Sequence, residues 1–193
     1  MKLSTAAAVL LALAPIALLA QTDAMPPETK APAPMHHGSD MPGHVKPDVK
    51  PSHSLTVVYR GASTVLSVED LMKLPQVKIT VRDGHTGKDV EFSGPLVSDV
   101  LAKGGLVASP ETHSLILHST VVATGADGFY ALYSAAEVEP GFSAAKPILA
   151  IMRFDLPNTA GGLIQIVDPQ DIKPSRWVNG LTTLSVMTLA QSK

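Results

Sequence analysis

A chain of 193 residues that is 45% hydrophobic, 17% charged and 4% aromatic, with 16 prolines, 14 glycines and no cysteine, has the make-up of one globular domain, not of a coiled coil or a disulfide scaffold. Lys plus Arg number 15 against 17 Asp plus Glu, a formal net charge of -2, so no broad basic surface exists to neutralise a phosphate backbone and nucleic acid is not an expected partner. Without cysteine there is no thiolate nucleophile, no thiolate metal ligand and no iron–sulfur cluster.

Lys2 precedes an uncharged Ala- and Leu-rich run from Leu3 to Ala20, the short positive start and apolar middle of a secretory signal peptide. Residues 1–20 are expected to be removed, with a second small-residue cleavage option at Ala24. Export places the mature chain in the periplasm or outside the cell, with no membrane association once the signal is cut. Residues 21–53 then hold seven of the 16 prolines and no aromatic residue, the composition of a disordered, extended linker. Within it Met35, His36, His37, Met41 and His44 crowd thioethers and imidazoles into ten residues. That ligand set suits copper better than magnesium or calcium, and it stands beside the plainer reading of a solvated linker.

From Ser54 to Lys193 the composition turns globular. Leu55–Tyr59 reads as a strand, and Ser67 with Asp70 forms a capping box ahead of a short helix that Pro75 stops. Val77, Ile79 and Val81 alternate with polar residues, Val90 and Phe92 repeat the pattern after a Gly-rich turn, and the two make a hairpin. Pro95 at a first helical position, an apolar face through Leu101 and a left-handed stop at Gly104 define a second helix. Strands are expected at Ser114–His118, Val121–Gly125 and Phe129–Tyr133. Ser134 with Glu137 opens a short helix, and strands follow at Ile148–Met152, Leu163–Val167 and Leu181–Leu189. Short helices among strands of both alternating and fully buried kinds predict an α+β fold with a mixed sheet.

Phosphate-binding Gly loops, a dinucleotide fingerprint, a Gly-x-Ser-x-Gly elbow and a His pair on a helix around Glu are all absent from the sequence. His113 and His118, five apart along an expected strand, would point to opposite faces and make a poor metal pair. His85 lies in the hairpin turn, where it could reach a ligand. Lys173, Ser175, Arg176 and Trp177, the only Trp, follow a polar loop and offer cationic donors and a flat apolar face to an anionic heterocycle. A core anchor is the alternative for Trp177.

Four stretches carry a family resemblance: Leu66–Leu71 with Leu74-Pro75, Phe92–Leu101, Ala126–Tyr130 and Ser175–Val178. In this order they resemble the small molybdopterin-binding oxidoreductase domain of the sulfite oxidase family, over about residues 54–189. The resemblance implies a sulfite-oxidase-type fold and a molybdopterin cofactor held by Lys173, Ser175, Arg176 and Trp177, with His85 as a further contact. A redox or metal-handling protein is the expected partner. The chain departs from the family at the metal, because catalytic members ligate molybdenum with a cysteine that is missing here. The resemblance therefore points to a molybdopterin-binding-like domain without standard cysteine-ligated catalysis. The alternative is a non-catalytic periplasmic binding module with a copper-binding Met/His tether.

Overall fold

Alternation of inward and outward residues builds the longer strands, and their buried sides face one of two hydrophobic clusters. The computed structural model describes residues 48–83 and 87–189. The chain is already packed at Ser52, which is buried and donates from its backbone N–H to the Gly162 carbonyl at 2.9 Å, so the folded part starts shortly before Ser54.

Strand β1 (Ser54–Tyr59) turns through Arg60-Gly61 into β2 (Ala62–Ser67), which the sequence reading did not anticipate. Both turn residues have positive φ, 50° and 78°, the backbone of the tight hairpin turn that matches strand twist. Strand β2 is an edge strand with only partial burial, so it lacks the clean period-2 signal.

Helix α1 (Val68–Met72) is closed by the expected capping box: the Asp70 N–H donates to Ser67 Oγ at 3.2 Å and the Ser67 N–H donates to Asp70 Oδ2 at 3.2 Å. Lys73, 2.8 Å from Asp70 Oδ1, together with the Ser67 donors, lowers the Asp70 carboxyl to about 2. A depressed carboxyl stabilises the fold above its unfolded value and loses that contribution as pH falls through the folded one. The stability difference between the native chain and Asp70→Asn should therefore be present at neutral pH and vanish progressively from pH 4 toward pH 2. Urea unfolding across that range measures it.

Strands β3 (Val77–Arg82) and β4 (Asp89–Gly94) form the expected antiparallel hairpin. Helix α2 (Val97–Lys103) starts later than expected, with Leu96 at the N-cap, so Pro95 precedes the helix. Its left-handed stop is Gly105, at φ 97°, while Gly104 is right-handed. Gly104 is needed for space instead, since a Cβ there would run into the Val57 side chain.

Residues 113–117 are helix, with His118 as the C-cap, not the strand expected at Ser114–His118. The Ser109 N–H donates to Thr112 Oγ1 at 2.8 Å, and the Ile116 N–H donates to the Thr112 carbonyl at 2.9 Å, which starts α3 (His113–Leu117). Only Ile116 is fully buried, so a one-turn helix satisfies the apolar run. His113 stacks on Phe142 with ring centroids 4.8 Å apart, and no group of three His, Cys, Asp or Glu able to hold a metal forms among the described residues.

Strands β5 (Ser119–Gly125) and β6 (Tyr130–Ser134) flank the Asp127-Gly128 turn, and Ser134 with Glu137 caps α4 (Ala135–Val138). The expected strand 148–152 is divided. β7 (Ile148–Ala150) pairs with β10 (Gln165–Val167), whereas β8 (Met152–Arg153) pairs with β4 and with β9 (Leu156–Pro157). Strand β11 (Leu181–Thr188) closes the fold.

Three sheets result, ordered β2-β1-β11-β5-β6, β10-β7 and β3-β4-β8-β9. β1 and β11 run parallel while the other pairs are antiparallel, so the architecture is the mixed-sheet α+β fold expected. One core joins the inner face of the five-stranded sheet to α1, α2, α3, α4 and the buried strands around Leu149 and Ile166. A smaller cluster, Val81, Val90, Phe92, Ile148, Ala150 and Val167, packs with Trp177 behind the β3–β4 hairpin.

Candidate functional site

The smaller cluster borders a cavity of about 250 Å³. Val81, Arg82, Val90 and Phe92 of the hairpin form one wall, Arg153 of β8 another, and Trp177 with Pro174 and Asn179 a third. Strand alternation explains the hairpin wall, because Val90 and Phe92 share a face. The Phe92 and Trp177 rings meet edge to face, 6.1 Å apart at 88°, and the Arg153 guanidinium lies over Phe92 at 5.8 Å. A cation–ring–ring series of this kind fixes each planar group against the next. The buried Trp177 Nε1–H has no hydrogen-bond acceptor among the described residues, a departure from the rule that buried donors find partners.

The floor is held rigidly. Asn158, fully buried, donates to the Ala150 carbonyl at 3.1 Å and to Gln165 Oε1 at 3.0 Å, while its own Oδ1 accepts from the Gly161 N–H at 3.1 Å. Gly161 has no room for a side chain, since a Cβ would strike both amides. Arg82 sits at the mouth, 75% exposed, with Asp89 at 3.8 Å. Asp83, the next residue, lines the cavity as well.

The residues singled out in the sequence separate in space. Trp177 lines the cavity, and Pro174, inside the segment 173–177, lines it too. Lys173 and Ser175 are exposed on a 3₁₀ turn, Pro174–Arg176. Arg176 meets carboxylates instead of the cavity: its Nη2 lies 2.6 Å from Asp171 Oδ1, 2.9 Å from Glu137 Oε1 and 3.5 Å from Asp168 Oδ2. The guanidinium also covers the Tyr133 ring at 4.7 Å, and the Tyr133 hydroxyl donates to the Arg176 carbonyl at 2.7 Å. Hydrogen bonds to Glu137 and Asp171 raise the Arg176 pKa above its ordinary value, and burial raises those of Tyr133 and Asp168. Arg176 is thus a clamp that ties the loop before β11 to α4. His85 and the Met35, His36, His37, Met41 and His44 set lie outside the described residues.

Sequence reasoning missed Arg82, Phe92, Arg153, Gln165 and Asn179. Arg82 reads as an outward strand residue and Phe92 as core, and nothing local links them to Arg153. The surviving signal was the lone Trp.

The fold is the sulfite-oxidase-type α+β arrangement, a distant relationship of architecture. The chain is similar in structure to the sulfane dehydrogenase SoxCD from Paracoccus pantotrophus, with a TM-score of 0.51 and 14% sequence identity over 73% of this chain and 39% of that one. The chain therefore spans about two-fifths of that neighbour's length. No family model and no curated protein matches it.

Two guanidiniums, Arg82 and Arg153, and the Phe92 and Trp177 rings would suit a planar anionic ring, with the Asp83 carboxylate as the one acidic group on the lining, and about 250 Å³ is slightly below the roughly 300–1,000 Å³ of pockets that enclose a drug-sized ligand. A cysteine-ligated metal centre does not fit, because the chain has no cysteine.

Proposed function

We propose that this chain is an exported binding domain of the molybdopterin-oxidoreductase type, which holds a pterin-class anionic heterocycle in the Trp177 cavity and does not carry out cysteine-ligated molybdenum catalysis. The observation that carries this reading is a cavity that sets the edge-to-face Phe92 and Trp177 rings beside Arg153 and Arg82, with the Asp83 carboxylate also on its lining. The guanidiniums would hold an anionic group against the aromatic faces. The Lys2 and Leu3–Ala20 segment supports export, and no helix among the described residues is long and apolar enough to cross a membrane. A second reading, copper binding by Met35, His36, His37, Met41 and His44, rests on their soft-ligand spacing.

Because Trp177 is the only tryptophan, fluorescence excited selectively at tryptophan reports on the cavity wall. Titration with a phosphorylated pterin should quench it saturably. Arg153→Gln should weaken binding by about 10- to 100-fold, the equivalent of one charge-assisted contact of roughly 1.5–3 kcal/mol. Lys173→Gln, on the exposed turn, should change it far less. Absence of saturable quenching, or equal weakening by the two variants, contradicts the assignment of the cavity. For the copper reading, joint replacement of the five tether residues should abolish copper uptake and leave pterin quenching intact.

A further inference from the structure

We propose that the outer face of the five-stranded sheet is the surface on which two copies of this chain pair. β2, β1, β11, β5 and β6 present their inner side to the core and their outer side to solvent. Along that outer side the register aligns Val65 with Thr56, Thr183, Thr124 and Tyr130 in one row, and places Val58, Ser185, Val122 and Leu132 in the next. Val65, Tyr130, Leu132 and Met187 are 53–63% exposed.

Every outward position on these strands is Ser, Thr, Val, Leu, Met or Tyr, with no Asp, Glu, Lys or Arg among them. A soluble surface is ordinarily about 25–35% charged, and antiparallel sheets that face water normally alternate toward polar, often charged, side chains. The surrounding rim does carry charge, with Arg60 at the β1–β2 turn and Asp127 at the β5–β6 turn. The sequence thus keeps charge off the flat face while placing it at the ends.

A second copy is the occupant that this pattern fits. A charge-free face meets its own copy without like-charge repulsion, and its Ser and Thr hydroxyls can both donate and accept across the contact. Five strands about 4.8 Å apart and three outward rows about 6.7 Å apart give a face of roughly 24 by 20 Å. Two such faces stacked about 10 Å apart bury on the order of 1,000 Å², the lower limit for a specific interface. β11 is the middle strand, so a two-fold axis places it against itself. Its small Ser185 sits at the centre, flanked by the larger Val58 and Val122. The pair is reversible and concentration-dependent.

Sedimentation of the purified chain over about three decades of concentration should show the mass rising from one chain toward two. Val122→Lys and Leu132→Glu should each raise the dissociation constant by at least about tenfold, with far-UV circular dichroism and melting retained. Leu132 lies on the edge strand β6, where a Glu can reach water, so this variant decides the matter should Val122→Lys fail to fold. A single-chain mass at every concentration overturns the proposal, as does an association that Leu132→Glu leaves unchanged.

Discussion

Gly94→Ala should destabilise the domain by about 3 kcal/mol or more, the upper end of overpacking effects, and lower its melting temperature by roughly 10 °C. Gly94 ends β4 where the chain passes against β7, and a Cβ there would fall on the Leu149 carbonyl. Two backbone hydrogen bonds hold that approach: the Leu149 N–H donates to the Pro95 carbonyl at 2.9 Å and the Ile151 N–H donates to the Ser93 carbonyl at 3.1 Å. The obstacle is main chain, not a side chain that can rotate away. Relief requires the two strands to part, which would also open the cluster behind the cavity. Gly141→Ala is the control, because a Cβ at Gly141 meets only Glu139 at an ordinary 3.7 Å. Differential scanning calorimetry of the two variants distinguishes steric exclusion from a general intolerance of lost glycine.

Replacing Arg176 with methionine should cost about 2 kcal/mol at pH 7, less than a fully buried pair because the guanidinium is 38% exposed. The substitution leaves Glu137, Asp168 and Asp171 facing one another without the cation. Asp168 is almost wholly buried, and Asp171 Oδ2 is buried with no hydrogen-bond partner among the described residues. Burial already raises the Asp168 carboxyl above its ordinary value. A group raised in the folded state contributes stability that is complete below its unfolded pKa and is lost as pH rises through the folded one. Removing the cation raises it further, so the loss should be largest near neutrality and shrink toward pH 4 as Asp168 takes up its proton. Urea unfolding at the two pH values reads this directly. An equal loss at both would mean that the side chain acts through packing over Tyr133. Pterin quenching in the folded variant should change far less than in Arg153→Gln, since Arg176 clamps the loop and Arg153 lines the cavity.

Features set by nearest neighbours were legible in the sequence. The Ser67/Asp70 and Ser134/Glu137 boxes and the β3–β4 hairpin each lie within a few residues, where spacing alone fixes the hydrogen bonds or the buried face. Long-range partners decided the misread segments. The apolar run at 148–152 divides because Ile151 bonds to Ser93 while Leu149 pairs toward Ile166, and no local periodicity records that exchange. Residues 114–118 look like a strand by composition but belong to a helical turn that closes on Thr112. At the site, Trp177 was visible as the single Trp, whereas Arg82 and Arg153 meet only because β4 runs between β3 and β8. Arg176 was visible as a cation, but the carboxylates that claim it come from α4 and the 168–171 loop.

The central claim, that the Trp177 cavity holds a pterin-class anion, is tested most directly by denaturing the protein purified from its native host and measuring released fluorescent pterin per chain. The account predicts a ratio near one for the native protein and a marked fall for Arg153→Gln. A ratio near zero in folded native protein would contradict it.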